Sequence, residues 1–195
     1  MSQEKTLEVF RKANAMLVGH FLLTSGKHSN IYLEKFLVLQ HPTYTAELCK
    51  EFVNHFKAKK IQVVIGAAVG GIILAYETAR QLKVRGIFME REEGKLTLRR
   101  GFSIEKGERV LVVEDIVTTG GSVVELIAQV KAAGGNVVGV GALINRSGGE
   151  VDFGVEDTQF LAKVDVMAYE EKNCPFCKKE MPLTKRGSRN LEKKK

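Results

Sequence analysis

Along the first sixty residues the apolar positions fall at two spacings. Leu7, Phe10, Ala13 and Leu17 recur at helical spacing, which predicts an amphipathic helix from about Gln3 to Val18, stopping near Gly19. The polar stretch LTSGKHSN then reads as a loop or turn, and IYLEKF alternates as a strand. Pro42 opens a second helix that runs to about Phe56, with Leu48, Phe52 and Phe56 on one face. From Ile61 the rhythm changes to short apolar runs separated by helices: strand IQVVIG, helix GIILAYETARQL, strand VRGIFME, strand RVLVV, helix SVVELIAQVKAAGG, strand NVVGVGALI and a shorter strand near QFLAK. Buried strands joined by crossover helices predict a three-layer α/β domain with a central parallel sheet flanked by helices. The excursion EREEGKLTLRRG reads as a β-hairpin with its turn near Glu93 and Gly94.

Composition narrows the class. At 195 residues, with 44% hydrophobic and 27% charged positions, the chain can bury one real core, and it is neither fibrous nor disordered. No apolar run approaches the roughly 18 residues that span a bilayer, and MSQEKTLEVF lacks the basic start and apolar stretch of a signal peptide. A cytoplasmic location is expected. The net charge of +7 is mostly local: residues 171–195 hold nine Lys or Arg and three Glu, so this tail carries +6 and the rest of the chain +1. Such a tail is ordinarily a solvated end; it lends weak support to RNA binding and none to a basic groove through the domain.

Three cysteines do not describe a disulfide framework. Cys49 falls in a helical pattern and reads as core. Cys174 and Cys177 form a CPFC knuckle, which is half of a zinc site at most, since structural zinc takes four ligands and the sequence offers no evident second CxxC or His pair. A tight local turn is the favoured reading, with a site shared between subunits or a redox role as the others.

The densest chemistry lies in VLVVEDIVTTGGS, Val110 to Ser122: an apolar strand, two acids, then small hydroxyl and glycine residues before a helix. In an open parallel sheet ligands sit at the carboxyl ends of the strands, where Glu114 and Asp115 are expected. Thr118, Thr119, Gly120, Gly121 and Ser122 would expose backbone N–H groups against the positive end of the helix, a place for phosphate. The acids would repel phosphate; they suit vicinal sugar hydroxyls or a hydrated divalent cation. A 5-phosphosugar satisfies both halves. GAAVGGI lacks the Lys-Ser/Thr ending of a nucleoside-triphosphate P-loop, and no GxGxxG follows the first strand.

With that fingerprint the chain resembles the type I phosphoribosyltransferases, and most of all the orotate phosphoribosyltransferase family in a short, thermophile-like branch. The resemblance also rests on GHFLLTSGKHSNIYLEK, MEREEGKLTLRRGF, ALINRSGG and the tail CPFCKKEMPLTKRGSRN. It implies one phosphoribosyltransferase domain over residues 1–195, with an N-terminal hood segment at 1–40, an α/β core at 60–168 and the tail at 171–195. It implies transfer of the phosphoribosyl group of 5-phosphoribosyl 1-diphosphate to orotate, with Mg²⁺ held mainly by substrate and no direct protein ligand. By position, Glu114, Asp115, Ile116, Val117 and Thr118 to Ser122 would bind 5-phosphoribosyl 1-diphosphate, with Thr118 to Ser122 on the 5′-phosphate and Glu114 and Asp115 on the ribose hydroxyls. Arg146 and Thr118, with Ser25, Gly26 and Lys27, would meet orotate. Lys95, helped by Arg91, would reach the diphosphate from a mobile loop, so Lys95 and Asp115 are the expected catalytic pair. A homodimer with shared sites is implied, without membrane or nucleic-acid partners.

The chain departs from the family pattern in three places. Arg91 is followed by Glu92 without the usual His/Tyr-Gly, Thr24 stands for a lysine before Ser25, and Gly70 stands for a lysine in the diphosphate loop. Transfer to a purine or uracil, or a nucleotide-sensing RNA-binding regulator on the same fold, are the competing readings.

Overall fold

The computed structural model describes residues 1–23 and 25–186; Thr24 and the last part of the basic tail lie outside the described residues. Five apolar runs form the parallel part of a six-stranded sheet: β3 (Val63–Ala67), β4 (Arg85–Glu92), β6 (Arg109–Val117), β7 (Asn136–Asn145) and β8 (Thr158–Lys163). With β5 (Lys95–Leu98) antiparallel on β4, the spatial order is β5-β4-β3-β6-β7-β8. Side-chain alternation along β6 serves two cores. Val110 and Val112 pack with Val123, Leu126 and Val130 of α5 (Gly121–Ala132), while Leu111 and Val113 join Phe52 and Phe56 of α3 (Pro42–Phe56) and Leu74 of α4 (Gly70–Leu82). Each such fully buried side chain contributes about 1.5–3 kcal/mol. The rings of Phe52 and Phe56 lie so close to β7 that a Cβ at Gly141 or Gly139 would come within 2.8 or 2.5 Å of them.

This connectivity creates the crevice that matters. β3 feeds α4 on one face and then β4; β6 feeds α5 on the other face and then β7 on the opposite side. Neighbouring strands whose crossovers leave in opposite directions mark a topological switch point, where open α/β sheets bind ligands. β3 and β6 pair from Val63↔Val110 to Gly66↔Val113 and then part, whereas β6 stays paired with β7 as far as Val117↔Asn145. The strand expected to end before the acids therefore runs through them: one-sided pairing keeps Glu114 and Asp115 in β6 and leaves their other side open.

A second sheet, in the order β10-β1-β2-β9, forms a hood from β1 (Met16–Leu22), β2 (His28–Leu33), β9 (Ala168–Tyr169) and β10 (Thr184–Lys185). Here the sequence expectation needs correction. Helix α1 (Gln3–Lys12) ends well before Val18, because Asn14 turns left-handed with φ 51° and Met16–Leu22 pairs antiparallel with β2. Leu17 continues the helical spacing by coincidence, and strand pairing overrides that local signal. The expected loop is also shorter, since His28, Ser29 and Asn30 already belong to β2. A short helix α2 (Lys35–Leu39) links β2 to α3. The β-hairpin between β4 and β5 forms as expected: Glu92 pairs with Lys95, and Glu93 and Gly94 take φ of 48° and 84°, the conformation of a two-residue type I′ turn.

Candidate active site

A cavity of about 940 Å³ opens at the parting of β3 and β6. Thr118 to Ser122 form one wall and lead into α5, whose N-cap Gly120 has φ 79° and no side chain to occupy the helix end. A Cβ at Gly120 would lie 3.0 Å from Phe153 and Val151, so both conformation and packing demand glycine there. The first-turn N–H groups consequently face the cavity with the helix dipole behind them, an arrangement suited to phosphate.

Glu114 and Asp115 lie on the floor, and the structure supplies them with a partner that sequence reasoning missed. Lys35, the first residue of α2, places Nζ 2.9 Å from Asp115 Oδ1 and 2.7 Å from Oδ2. The Ile116 N–H donates to Asp115 Oδ1 at 2.6 Å. Gly70, the first residue of α4, lies so close that a Cβ on it would overlap Asp115 Oδ2 and come within 3.4 Å of Lys35 Cε. The position where the family pattern has a lysine thus cannot carry a side chain beside this aspartate, and Lys35 brings an ammonium group to the same carboxylate from a different element.

Burial raises both carboxyls. For Glu114 the cause is burial first and the charge of Asp115 second, and the result is a pKa of about 8. For Asp115 burial again dominates, opposed by the Lys35 ammonium and by the Ile116 N–H. A carboxyl that keeps its proton in the folded chain and loses it in the unfolded chain stabilises the fold at low pH and withdraws that stability as pH rises. We expect the thermal stability contributed by Glu114 to fall between pH 4.5 and about 8. Melting curves of wild type and Glu114→Gln across that range check this: the wild type should decline more steeply, and parallel curves would contradict it.

Arg146 follows β7 directly. Its N–H donates to the Val117 carbonyl at 2.8 Å, and Asn145 Oδ1 accepts from the Ser147 N–H and Oγ at 2.9 and 2.7 Å, so the NRS sequence forms a closed turn that fixes the arginine. Its guanidinium lines the cavity, as does Tyr32; burial lowers the pKa of Arg146, and the nearby Tyr32 opposes that shift.

Of the residues singled out from sequence, the cavity brings together Glu114 through Ser122, Arg91 and Arg146. Arg91 donates to Glu125 Oε2 at 2.9 Å and to the Gly94 carbonyl at 2.6 Å, while the Leu96 N–H donates to Glu125 Oε1 at 2.7 Å, so Glu125 of α5 holds the hairpin down. Lys95 is exposed and lies outside the lining. Ser25, Gly26 and Lys27 also lie outside it; they form the β1–β2 turn, with Lys27 paired to Glu170 at 3.2 Å. Besides Lys35, sequence reasoning missed Lys185 and Arg186 on the cavity wall. No local pattern marks them, because long-range pairing brings them there.

Comparison with known proteins agrees with this geometry. Residues 39–158 match the phosphoribosyl transferase domain family. The chain is 54% identical to the orotate phosphoribosyltransferase of Pelotomaculum thermopropionicum, over 98% of its own length and 100% of that protein. It is 53% identical, over the same shares, to the orotate phosphoribosyltransferase of Caldanaerobacter subterraneus subsp. tengcongensis. The crystal structure of orotate phosphoribosyltransferase from Aeropyrum pernix superposes with a TM-score of 0.65 over 81% of this chain and 93% of that one; at 24% identity this shows a shared fold. The identity to the two sequence relatives runs through the whole chain and not the motif alone, and the chain therefore belongs to the orotate phosphoribosyltransferase family, on the type I phosphoribosyltransferase fold.

Proposed function

We propose that this chain transfers the 5-phosphoribosyl group of 5-phosphoribosyl 1-diphosphate to orotate, releasing diphosphate and forming orotidine 5′-phosphate in pyrimidine biosynthesis. One observation carries the proposal: a single cavity holds an uncapped helix N-terminus, an adjacent carboxylate pair and a planar cation. These suit a phosphate, a diol and an acidic base in turn.

The 5′-phosphate is received by Thr118 to Ser122, with the hydroxyls of Thr118, Thr119 and Ser122 as added donors. Glu114 and Asp115 accept from the ribose hydroxyls and set the sugar's orientation. Arg146 meets the orotate carboxylate through two parallel hydrogen bonds. Breaking the C1–oxygen bond places positive charge on the sugar and negative charge on diphosphate, so catalysis is chiefly positioning and electrostatics. The site fits a hard divalent cation held mainly through substrate: Asp115 is paired to Lys35, while Glu114 lines the cavity and makes no salt bridge among the described residues, so Glu114 would orient the cation's water or the ribose hydroxyls and substrate oxygens would supply the ligands. Mg²⁺ bound in that way supplies neutralising charge to the diphosphate.

Lys95 lies outside the cavity of its own chain, so its contact with the diphosphate is assigned across the interface of a homodimer. Lys95→Ala should then lower turnover at least about tenfold, some 1.4 kcal/mol. Mixing Lys95→Ala with Asp115→Asn subunits should restore activity in heterodimers, and mixtures no more active than the parents would remove Lys95 from the neighbouring site. A cytoplasmic location accords with three cysteines that form no disulfide among the described residues.

Diphosphate release measured with orotate, uracil, adenine and hypoxanthine tests the function. Orotate should be preferred at least about a hundredfold, and a purine used as readily would overturn the assignment. Arg146→Ala removes a charge-assisted contact of about 1.5–3 kcal/mol, so the orotate KM should rise about 10- to 100-fold. An unchanged orotate KM would place the base elsewhere.

A further inference from the structure

The CPFC knuckle has its missing half in the hood. His20 of β1 and His28 of β2 face Cys174 and Cys177, and one ligand atom from each of the four residues lies within 4.8 Å of all the others. His20 Nε2 is 2.9 Å from His28 Nδ1 and 3.5 and 3.7 Å from the sulfurs of Cys174 and Cys177, and the Cys177 sulfur is 3.2 Å from His28 Nδ1. Tetrahedral zinc with bonds of roughly 2.0–2.1 Å to nitrogen and 2.3 Å to sulfur separates its ligand atoms by about 3.3 to 3.8 Å. The cluster is already within a few tenths of an ångström of that geometry along these four edges.

The surroundings are those of a closed metal centre. His20, His28 and Cys174 are 3%, 3% and 0% exposed, so three of the four polar groups are buried together and Cys177 is half-buried beside them. His20 Nδ1 lies 2.9 Å from the Met181 carbonyl, which can only accept. That bond fixes the proton on Nδ1 and turns the Nε2 lone pair into the cluster, the outer-shell device that orients metal-bound histidines. Two thiolates and two neutral imidazoles would balance the charge of one divalent ion, leaving a neutral centre to bury. Cys174 and Cys177 thus do more than make the tight local turn that the sequence favoured.

We infer that His20, His28, Cys174 and Cys177 bind one structural Zn²⁺, which clamps residues 170–186 onto the hood. The fold gives this clamp work to do. β9 and β10 are only two residues long, and each flanks the central β1–β2 pair of the hood through just two registered pairs: His28↔Tyr169 and Ser29↔Ala168 on one side, Phe21↔Thr184 and Leu22↔Lys185 on the other. Pairing that short is too weak to persist alone. All four ligands lie between or beside these strands. Since Lys185 and Arg186 line the substrate cavity, the metal would hold two cations at the rim of the phosphoribosyl site.

Metal analysis of the full chain purified under reducing conditions tests this. We expect about one zinc per chain, a stoichiometry that does not depend on which base is the substrate. Cys177→Ser and His28→Ala should each lose most of it. Because those variants can fail to fold, the wild-type chain is also stripped with a chelator and titrated with Co²⁺. A tetrahedral visible spectrum with thiolate charge-transfer bands, saturating at one equivalent and bleached by Zn²⁺, supports the site. Absence of both bound zinc and the cobalt spectrum overturns it, as does a native mass 2 Da low, which would mark Cys174 and Cys177 as a disulfide pair. Stripped protein should also show a higher KM for 5-phosphoribosyl 1-diphosphate, restored by Zn²⁺ in the presence of Mg²⁺.

Discussion

Gly70→Ala should lower kcat/KM for 5-phosphoribosyl 1-diphosphate by at least about a hundredfold, roughly 2.7 kcal/mol of lost transition-state stabilisation. One methyl group has this effect because it would overlap Asp115 Oδ2. Asp115 cannot step aside cheaply: it is 2% exposed, held by Lys35 and by the Ile116 N–H, and anchored in a strand paired to β7. Overpacking there displaces the carboxylate from Lys35 and, with it, from the ribose contact proposed for it, and a buried charge moved off its partner is costly. Single-turnover formation of orotidine 5′-phosphate is the measurement. A rate within about threefold of wild type would show that the loop yields and that the position of Asp115 is not critical. Gly70→Lys should be worse still, although lysine is the residue the family pattern expects there.

Lys35→Met should carry the second large effect, and its signature is in pH dependence. The Lys35 ammonium opposes the burial that raises the Asp115 carboxyl. Without it, Asp115 holds its proton to higher pH beside an already raised Glu114. If the ionised pair is the working form, the acid limb of kcat/KM must move to higher pH, and activity at neutral pH should fall at least about tenfold. Activity should recover in part as the pH is raised, which a merely unfolded variant would not do. A pH profile of kcat/KM for wild type and variant decides the matter; an acid limb at the same pH would mean that Lys35 does not control the ionisation of the acids.

How much of this was legible along the chain follows from how local each feature is. The candidate phosphate cradle was legible because strand, acids, glycine turn and helix start are contiguous from Val110 to Ser122, and the helix end suited to an anion is made by the same residues. The α/β class was legible because apolar runs such as those of β3, β6 and β7, buried on both faces, leave a pattern that needs no partner to be seen. The hairpin was legible from Glu93-Gly94, where the turn conformation is itself a property of the residues. Arg146 entered through resemblance, since a single arginine after a strand has no pattern of its own.

Other features were decided only when distant segments met. Leu17 keeps helical spacing with Phe10 and Ala13, yet pairing with β2 makes it part of a strand. Lys35 and Asp115 are 80 positions apart, and His20 and Cys174 are 154 apart. Each of these residues is ordinary in its own stretch. The sequence by itself determined the parallel sheet, its crossover helices and the glycine–hydroxyl loop, because these follow from side-chain period and backbone preference over about a dozen residues. The tertiary structure alone decided which cation faces Asp115, why Gly70 must be bare, and that two histidines complete the CPFC knuckle, because ion pairing, steric exclusion and coordination depend on distances in space that separation along the chain does not encode.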